Sequence, residues 1–264
     1  EAAAGAPAAA SAFRRIVMKV AIIGGTGLIG RQLAANLSAR NVEVLAASPS
    51  TGVDSVSGKG LPGALAGATV VVDVSNSHSF EEAAVIDFFR RSKSNLLEAA
   101  KSAEVKHYVA LSVVGADRIH DSPYLRAKRA QEVLIESAGV PYTILRATQF
   151  YEFLEAIAGA ATQDGKVRLS TARFQPVAAA DVAATLADIV LRAPRNGAIE
   201  LAGQEVSTLA GAVAAYLKAK GDTRMVVPDP QARYFGAALD KYGLAPSAEF
   251  VSGPTRLTEW LRSA

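Results

Sequence analysis

A chain of 264 residues that is 50% hydrophobic can bury one large α/β core, or such a core with a small lobe attached. The absence of cysteine excludes a disulfide scaffold, thiol nucleophiles and thiolate metal sites, and fits a reducing, cytoplasmic setting. A net charge of +3 beside 28 basic and 25 acidic side chains gives no footprint for nucleic acid, the three histidines (His78, His107, His120) lack metal-ligand spacing, and no apolar run reaches the ~18 residues of a membrane helix.

In chain order, residues 1–17 are alanine-rich, end in Arg14-Arg15 and lack a basic region ahead of an apolar core. They are expected to be a tag-like or disordered extension rather than a signal peptide, with Met18 as the natural start. Val20 to Ile23 then read as a strand buried on both faces, and Leu28, Ile29, Leu33, Ala34 and Leu37 recur at helical spacing. Between them, Gly24, Gly27 and Gly30 form GxxGxxG, while Gly25, Gly27 and Gly30 form GxGxxG. The turn predicts a dinucleotide site. Gly24, Gly25, Thr26, Gly27, Leu28, Ile29 and Gly30 would bring bare backbone to a pyrophosphate at a helix N-terminus, although a purely structural turn uses glycines too.

A second strand over 42–47 ends at Ser48-Pro49-Ser50-Thr51, with no acidic and no basic residue. A carboxylate there would favour the ribose of NAD(H) and repel a 2′-phosphate. Its absence, the hydroxyls of Ser48 and Ser50, and Arg31 as a charge partner favour NADP(H), with NAD(H) possible. The third strand, 69–74, ends in Asp73, Val74, Ser75 and Asn76, small groups suited to passing close to adenine or ribose. Ser79 and Glu82 make an S-x-x-E capping box for a helix running through Ala103. A strand at 107–112, a helix from about Pro123 to Ala138 and a strand from Tyr142 to Leu145 complete the alternation. The pattern predicts a Rossmann-type, doubly wound parallel sheet in a domain spanning 18–150, with its ligand at the carboxyl ends of the strands.

Ser122 as N-cap and Pro123 at the first helical position place Tyr124 and Lys128 one turn apart on one face. A phenol with an ordinary pKa near 10 becomes a usable acid or base when a lysine ammonium and an oxidised nicotinamide stabilise the phenolate. Tyr124 would exchange the proton, Lys128 would activate it and hold ribose hydroxyls, and Ser112, at the end of its strand, would orient the substrate oxygen.

Beyond residue 150 the pattern is less regular: a helix over 150–163, a turn at Asp164-Gly165, a strand over 166–169, a helix over 181–191 capped by Asp181, a strand over 198–202, a helix over 208–220 and a proline-punctuated tail. The tail is expected to dock an amphipathic helix around Trp260 and Leu261. Residues 151–264 are expected to form a smaller α/β substrate lobe, partly interleaved with the Rossmann sheet. Val113, Val114, Gln149, Phe150 and Phe153 would line the pocket, an aromatic wall for a flat or apolar substrate; core packing of the two phenylalanines is the competing reading. Arg168 or Arg173 would meet an anionic substrate if either is not simply solvated.

GGTGLIG, LSVVG, YLRAKRAQEVLIESAGVPYTILRATQFYEF and QPVAAADVA together resemble the atypical short-chain dehydrogenase/reductase superfamily, of the NmrA-like, NAD(P)H-binding type, over about residues 18–260. The resemblance implies a Rossmann domain, NAD(P) at the glycine turn and a small lobe over the nicotinamide. Members include quinone, flavin-type and isoflavone-type reductases, and redox-sensing regulators that bind cofactor without turnover. Many have lost the tyrosine, whereas Tyr124 and Lys128 match the catalytic pattern. The expectation is an NAD(P)H-dependent oxidoreductase passing hydride to a small carbonyl, quinone or enone, with a cofactor-binding sensor as the alternative, in a protein that acts as a monomer or homodimer.

Overall fold

The computed structural model describes residues 18–79, 81–240 and 242–263; the extension over 1–17 lies outside them. The chain first lays down β1 (Lys19–Ile23), α1 (Leu28–Ser38), β2 (Glu43–Ala47), a 3-10 turn at Pro49–Thr51, α2 (Leu61–Leu65), β3 (Val70–Asp73), α3 (Glu82–Ser102), β4 (His107–Val113), α4 (Pro123–Ser137) and β5 (Tyr142–Ala147). After a 3-10 turn at Tyr151–Phe153 come α5 (Leu154–Ala160), β6 (Thr162–Gln163), β7 (Lys166–Leu169), β8 (Arg173–Phe174), α6 (Ala179–Val190), β9 (Gly197–Gly203), β10 (Ser207–Thr208), α7 (Leu209–Ala219), β11 (Met225–Pro228), β12 (Val251–Gly253) and α8 (Leu257–Ser263).

Seven strands form one parallel sheet in the order β12-β9-β5-β4-β3-β1-β2. β1 lies between β3 and β2, one strand in from the edge, and both of its faces are apolar and covered. Val20 and Ile22 join a core with Ile29 and Leu33 of α1 and Val182 and Leu186 of α6, whereas Ala21 and Ile23 join Leu65, Leu96, Leu97 and Ile135 on the opposite face. Each such aliphatic side chain, fully buried, contributes roughly 1.5–3 kcal/mol. The chain places β2 on one side of β1 and β3 on the other, so the strand order reverses there. Open α/β sheets bind ligands at that crevice.

Residues after 150 divide between two places. α6, β9 and β12 extend the main sheet and its packing. β6, β7 and β11 form a three-stranded sheet packed with α5 and α7, around Leu154, Ile157, Val167, Val213 and Leu217. α8 docks there too, with Trp260 5.6 Å from the ring of Tyr151 and 6.4 Å from that of Tyr216.

Three local expectations are corrected. The Ser79–Glu82 capping box does not form: the Ser79 hydroxyl accepts from the Glu81 N–H at 3.1 Å, and Glu82 pairs with Arg126 of α4. The helix expected over 150–163 is interrupted at both ends. Its start is held as an extension of the sheet, with Val177 N–H donating to Gln149 and Tyr151 N–H donating to Val177. Its end turns into β6, which folds back on β7 through Asp164 and Gly165, both at positive φ. Asp181 does not cap α6. Its carboxylate accepts from the Thr255 N–H at 2.9 Å and hydroxyl at 2.8 Å, tying the tail after β12 to the helix, while Glu152 receives the Ala179 N–H.

Candidate functional site

The glycine turn fills the crevice between β1 and β3, and two of its glycines are dictated by contact. A Cβ on Gly30 would lie 2.3 Å from the Gly24 carbonyl oxygen, and one on Gly25 would lie 2.6 Å from Cα of Ala46. The Gly24 and Gly25 N–H groups both donate to the Ala47 carbonyl, at 2.9 and 3.0 Å, and the Gly27 N–H donates to Gly24. These bonds stitch the turn to the end of β2. The first intrahelical bond runs from the Arg31 N–H to Gly27, and no side chain caps Gly27, so the N–H groups of Leu28, Ile29 and Gly30 precede the helical ladder at its positive end. Thr26 and Gly27 are exposed. A dinucleotide pyrophosphate fits this cradle by shape and by charge.

Beside it, the end of β2 forms a tight knot of hydroxyls. Ser48 and Ser50 share a hydrogen bond of 2.8 Å, Ser48 N–H donates to the Thr51 hydroxyl, and that hydroxyl donates to the Ser48 carbonyl. Ser48 is buried and Ser50 exposed. The Arg31 guanidinium reaches back to the Thr26 carbonyl at 2.5 Å.

At the end of β3, Asp73 is buried and fully committed. It pairs with Lys93 of α3 and accepts from the Tyr108 hydroxyl at 3.0 Å, the Ser75 hydroxyl at 2.7 Å and the Ser75 N–H at 3.1 Å. Burial alone would raise its pKa, but the Lys93 charge and the hydrogen bonds hold it below the ordinary carboxylate value. Asp73 and Ser75 were expected to meet the cofactor; their side chains brace the loop from behind instead. Val74 packs on the apolar core, and Asn76 is exposed.

Tyr124 occupies the first turn of α4, whose N-cap Ser122 accepts from the Leu125 N–H at 3.3 Å. Burial pushes the phenol up to about 12, partly offset by a hydrogen bond with the Asn76 side chain. The sequence thus brings the tyrosine to the switch-point loop, but the lysine does not depress its pKa as expected. Lys128 is buried, donating to the Leu111 carbonyl at 2.7 Å and to Gln131 Oε1 at 3.0 Å, with its ammonium 4.7 Å from the centre of the Phe89 ring. Burial drives its pKa down to about 7, helped by the charge of Lys93 and opposed by Asp73 and Glu132.

Ser112 is not free to orient a substrate. Its hydroxyl donates to Glu132 Oε1 at 2.7 Å, and Glu132, fully buried, also receives Arg146 and Arg129. Glu132 outcompetes a neutral carbonyl because a charged acceptor makes the stronger hydrogen bond. Glu132 and Lys93 escaped the sequence reading. Each stands at core spacing in its helix, Glu132 among Leu125, Lys128 and Ile135 and Lys93 among Phe89, Leu96 and Ala100, and a charge in an apolar stripe is the signal that marks them.

Of the expected pocket residues, Val113 is half-buried, and Val114 is fully buried and offers no open surface. Phe150 and Phe153 stack at 5.4 Å and 19°, with Phe153 46% exposed, so this pair does present an aromatic face. Gln149 Oε1 is buried without a hydrogen-bond partner among the described residues, an acceptor left open at the end of β5. Arg168 pairs with Asp229 at 2.9 Å on the rim of a cavity of about 290 Å³ between α5, β7 and residues 232–236. Among the described residues no helix is long and apolar enough to cross a membrane, and no cluster of three or more His, Asp or Glu could hold a metal ion.

Residues 24–193 match the family model described as NAD(P)H-binding. A stretch of 151 residues is 26% identical to the photosystem II assembly factor Ycf39 of Cyanophora paradoxa, covering 52% of this chain and 47% of that protein. The chain therefore spans about half the length of the curated relatives it matches. Among solved structures, an NADPH-dependent quinone oxidoreductase of Escherichia coli is similar with a TM-score of 0.67 and 21% identity, over 92% of this chain and 98% of that one. The UDP-glucose 4-epimerase of Thermus thermophilus in complex with NAD is similar with a TM-score of 0.67 and 20% identity, over 94% and 100%. These structural likenesses establish the Rossmann fold.

Proposed function

The chain belongs to the NAD(P)H-binding family, and from that membership we propose that it is an NAD(P)H-dependent reductase of a small carbonyl, quinone or enone, with Tyr124 as its acid. The observation that carries the reading is the Tyr124–Asn76 hydrogen bond, which holds the phenol against the loop that closes the cofactor crevice. Leu28, Ile29 and Gly30 N–H would hold the pyrophosphate, Ser48, Ser50 and Arg31 the adenosine end, and the open Gln149 Oε1 a nicotinamide amide. The bound, reduced nicotinamide supplies the hydride.

With a pKa of about 12, Tyr124 stays protonated at neutral pH, the form required to donate a proton to a substrate oxygen gaining negative charge. Lys128, with a pKa of about 7, is partly charged there and stabilises the phenolate that remains. Ser112 has no part in this scheme; its hydroxyl serves the Glu132–Arg146 network. The lack of a carboxylate at the end of β2 favours NADP(H).

That same loss of Ser112 favours the second reading, a cofactor-binding protein without turnover, in keeping with the likeness to an assembly factor. Tyr124→Phe separates the two. Acid catalysis predicts a drop in kcat of roughly 10²-fold or more with NADPH affinity unchanged; equal turnover in both forms removes the tyrosine from the mechanism, and absence of turnover in the wild type, with NADPH bound, leaves the second reading.

A further inference from the structure

Lys93 is a buried charge that the proposed chemistry leaves without a task. It is 0% exposed, and an ion pair taken fully out of water gains little over an apolar pair of similar volume. Its bonds close a triangle. The ammonium pairs with Asp73 Oδ2 and donates to Ser75 Oγ at 2.9 Å, while the Ser75 hydroxyl donates to Asp73 Oδ1 at 2.7 Å. The ammonium also lies 5.5 Å from the centre of the Phe89 ring and 5.8 Å from that of Phe88. Asp73 accepts two further bonds, from the Tyr108 hydroxyl and the Ser75 N–H.

The triangle holds the loop that leaves β3, and that loop has two neighbours. Its first residues are set by backbone alone: the Val74 N–H donates to the Ile23 carbonyl at 2.9 Å, and a Cβ on Gly24 would lie 2.9 Å from the Ser75 nitrogen. The exposed Asn76 follows, and its side chain hydrogen-bonds Tyr124. Between the two stands Ser75, whose hydroxyl is the corner that Lys93 holds. The Tyr124 ring is fixed from the same helix. Phe89, one turn before Lys93 in α3, meets it edge-on with centroids 6.2 Å apart. α3 thus sets both ends of the phenol, the ring through Phe89 and the hydroxyl through Lys93, Ser75 and Asn76.

We propose that Lys93 is a positioning residue, which through Ser75 and Asn76 fixes the direction of the Tyr124 hydroxyl at the cofactor crevice. The assignment rests on the reductase reading and adds to it the residue that aims its acid. A charge serves here where an apolar side chain would not, because only a donor holds the Ser75 hydroxyl and the Asp73 carboxylate in one orientation.

Lys93→Met alone would leave the buried Asp73 charge without its partner, so it is combined with Asp73→Asn. Ser75→Ala removes the corner hydroxyl with the ion pair intact, and carries the test where the double variant does not fold. The first readout needs no turnover. In protein labelled with fluorotyrosine, the fluorine resonance of Tyr124 is the one missing from Tyr124→Phe. Asn76→Ala is expected to shift it, and the double variant and Ser75→Ala to shift it the same way. The second readout is kcat with NADPH and the most active member of a panel of quinones and aromatic carbonyls. Both brace variants are expected to lower it about tenfold, and to lower it no further in the Tyr124→Phe background, because the brace acts through that hydroxyl. NADPH affinity, from nicotinamide fluorescence, is expected to stay within about threefold of wild type, since backbone alone holds the loop on the glycine turn. A Tyr124 resonance unmoved by the brace variants, an equal loss of kcat in both backgrounds, or loss of NADPH binding overturns the assignment. A resonance moved by Asn76→Ala and the brace variants alike, with no turnover in any form, upholds the positioning and removes the reductase reading instead.

Discussion

Burial holds the Lys128 ammonium near a pKa of about 7 although Asp73 and Glu132 both favour its charge. In the unfolded chain a lysine titrates near 10.4. Between about 7 and that value the unfolded chain holds one proton more, so folding stability rises with pH through this window and is flat below it, with a slope of up to about 1.4 kcal/mol per pH unit. Urea melts from pH 6 to 10 are expected to show that rise in the wild type and not in Lys128→Met; parallel curves would assign the proton elsewhere. That Tyr124 and Lys128 stand one turn apart in α4 was legible because a helix fixes what four residues apart means. The engagement of Ser112 was not, since it depends on Glu132 and Arg146 arriving from α4 and β5, 20 and 34 positions along the chain.

α1 and the turn before it are constrained by backbone meeting backbone, which no side-chain adjustment relieves. Gly30→Ala places a Cβ 2.3 Å from the Gly24 oxygen, and is expected to cost about 1–3 kcal/mol in urea melts and to abolish NADPH binding measured by nicotinamide fluorescence. A variant of unchanged stability and affinity would mean the turn relaxes freely. At the end of β2, Arg31→Ala is expected to weaken NADPH by about tenfold and leave NADH unaffected, if the guanidinium faces a 2′-phosphate; equal losses would place Arg31 on a group the two share. The strands up to β5 and the helices α1, α3 and α4 were readable because each is bounded by turn chemistry and carries a clean apolar period, whereas α2, only five residues long, is too short to show one and was missed. The Ser79–Glu82 box failed because Glu82 found Arg126, a partner 44 positions away, and the helix after β5 was overdrawn because Val177 captures its first residues as sheet.

The whole molecule divides its tasks along the sheet. The β1–β3 reversal and the uncapped start of α1 build the cradle, α4 carries Tyr124 in its first turn, and Tyr234 from the second half of the chain packs on the same apolar cluster as Tyr124. The second half of the chain was least legible because α6, β9 and β12 leave the lobe to complete the main sheet, a choice governed by strand pairings between residues far apart in the chain. The central claim is that a bound reduced nicotinamide is turned over. Its most direct test is to titrate the purified protein with NADPH and NADH, following nicotinamide fluorescence, and then to add quinones and aromatic carbonyls to the tighter complex while following absorbance. Saturable binding with substrate-dependent loss of the reduced cofactor is the expected result; saturable binding with no oxidation by any member of the panel would contradict it.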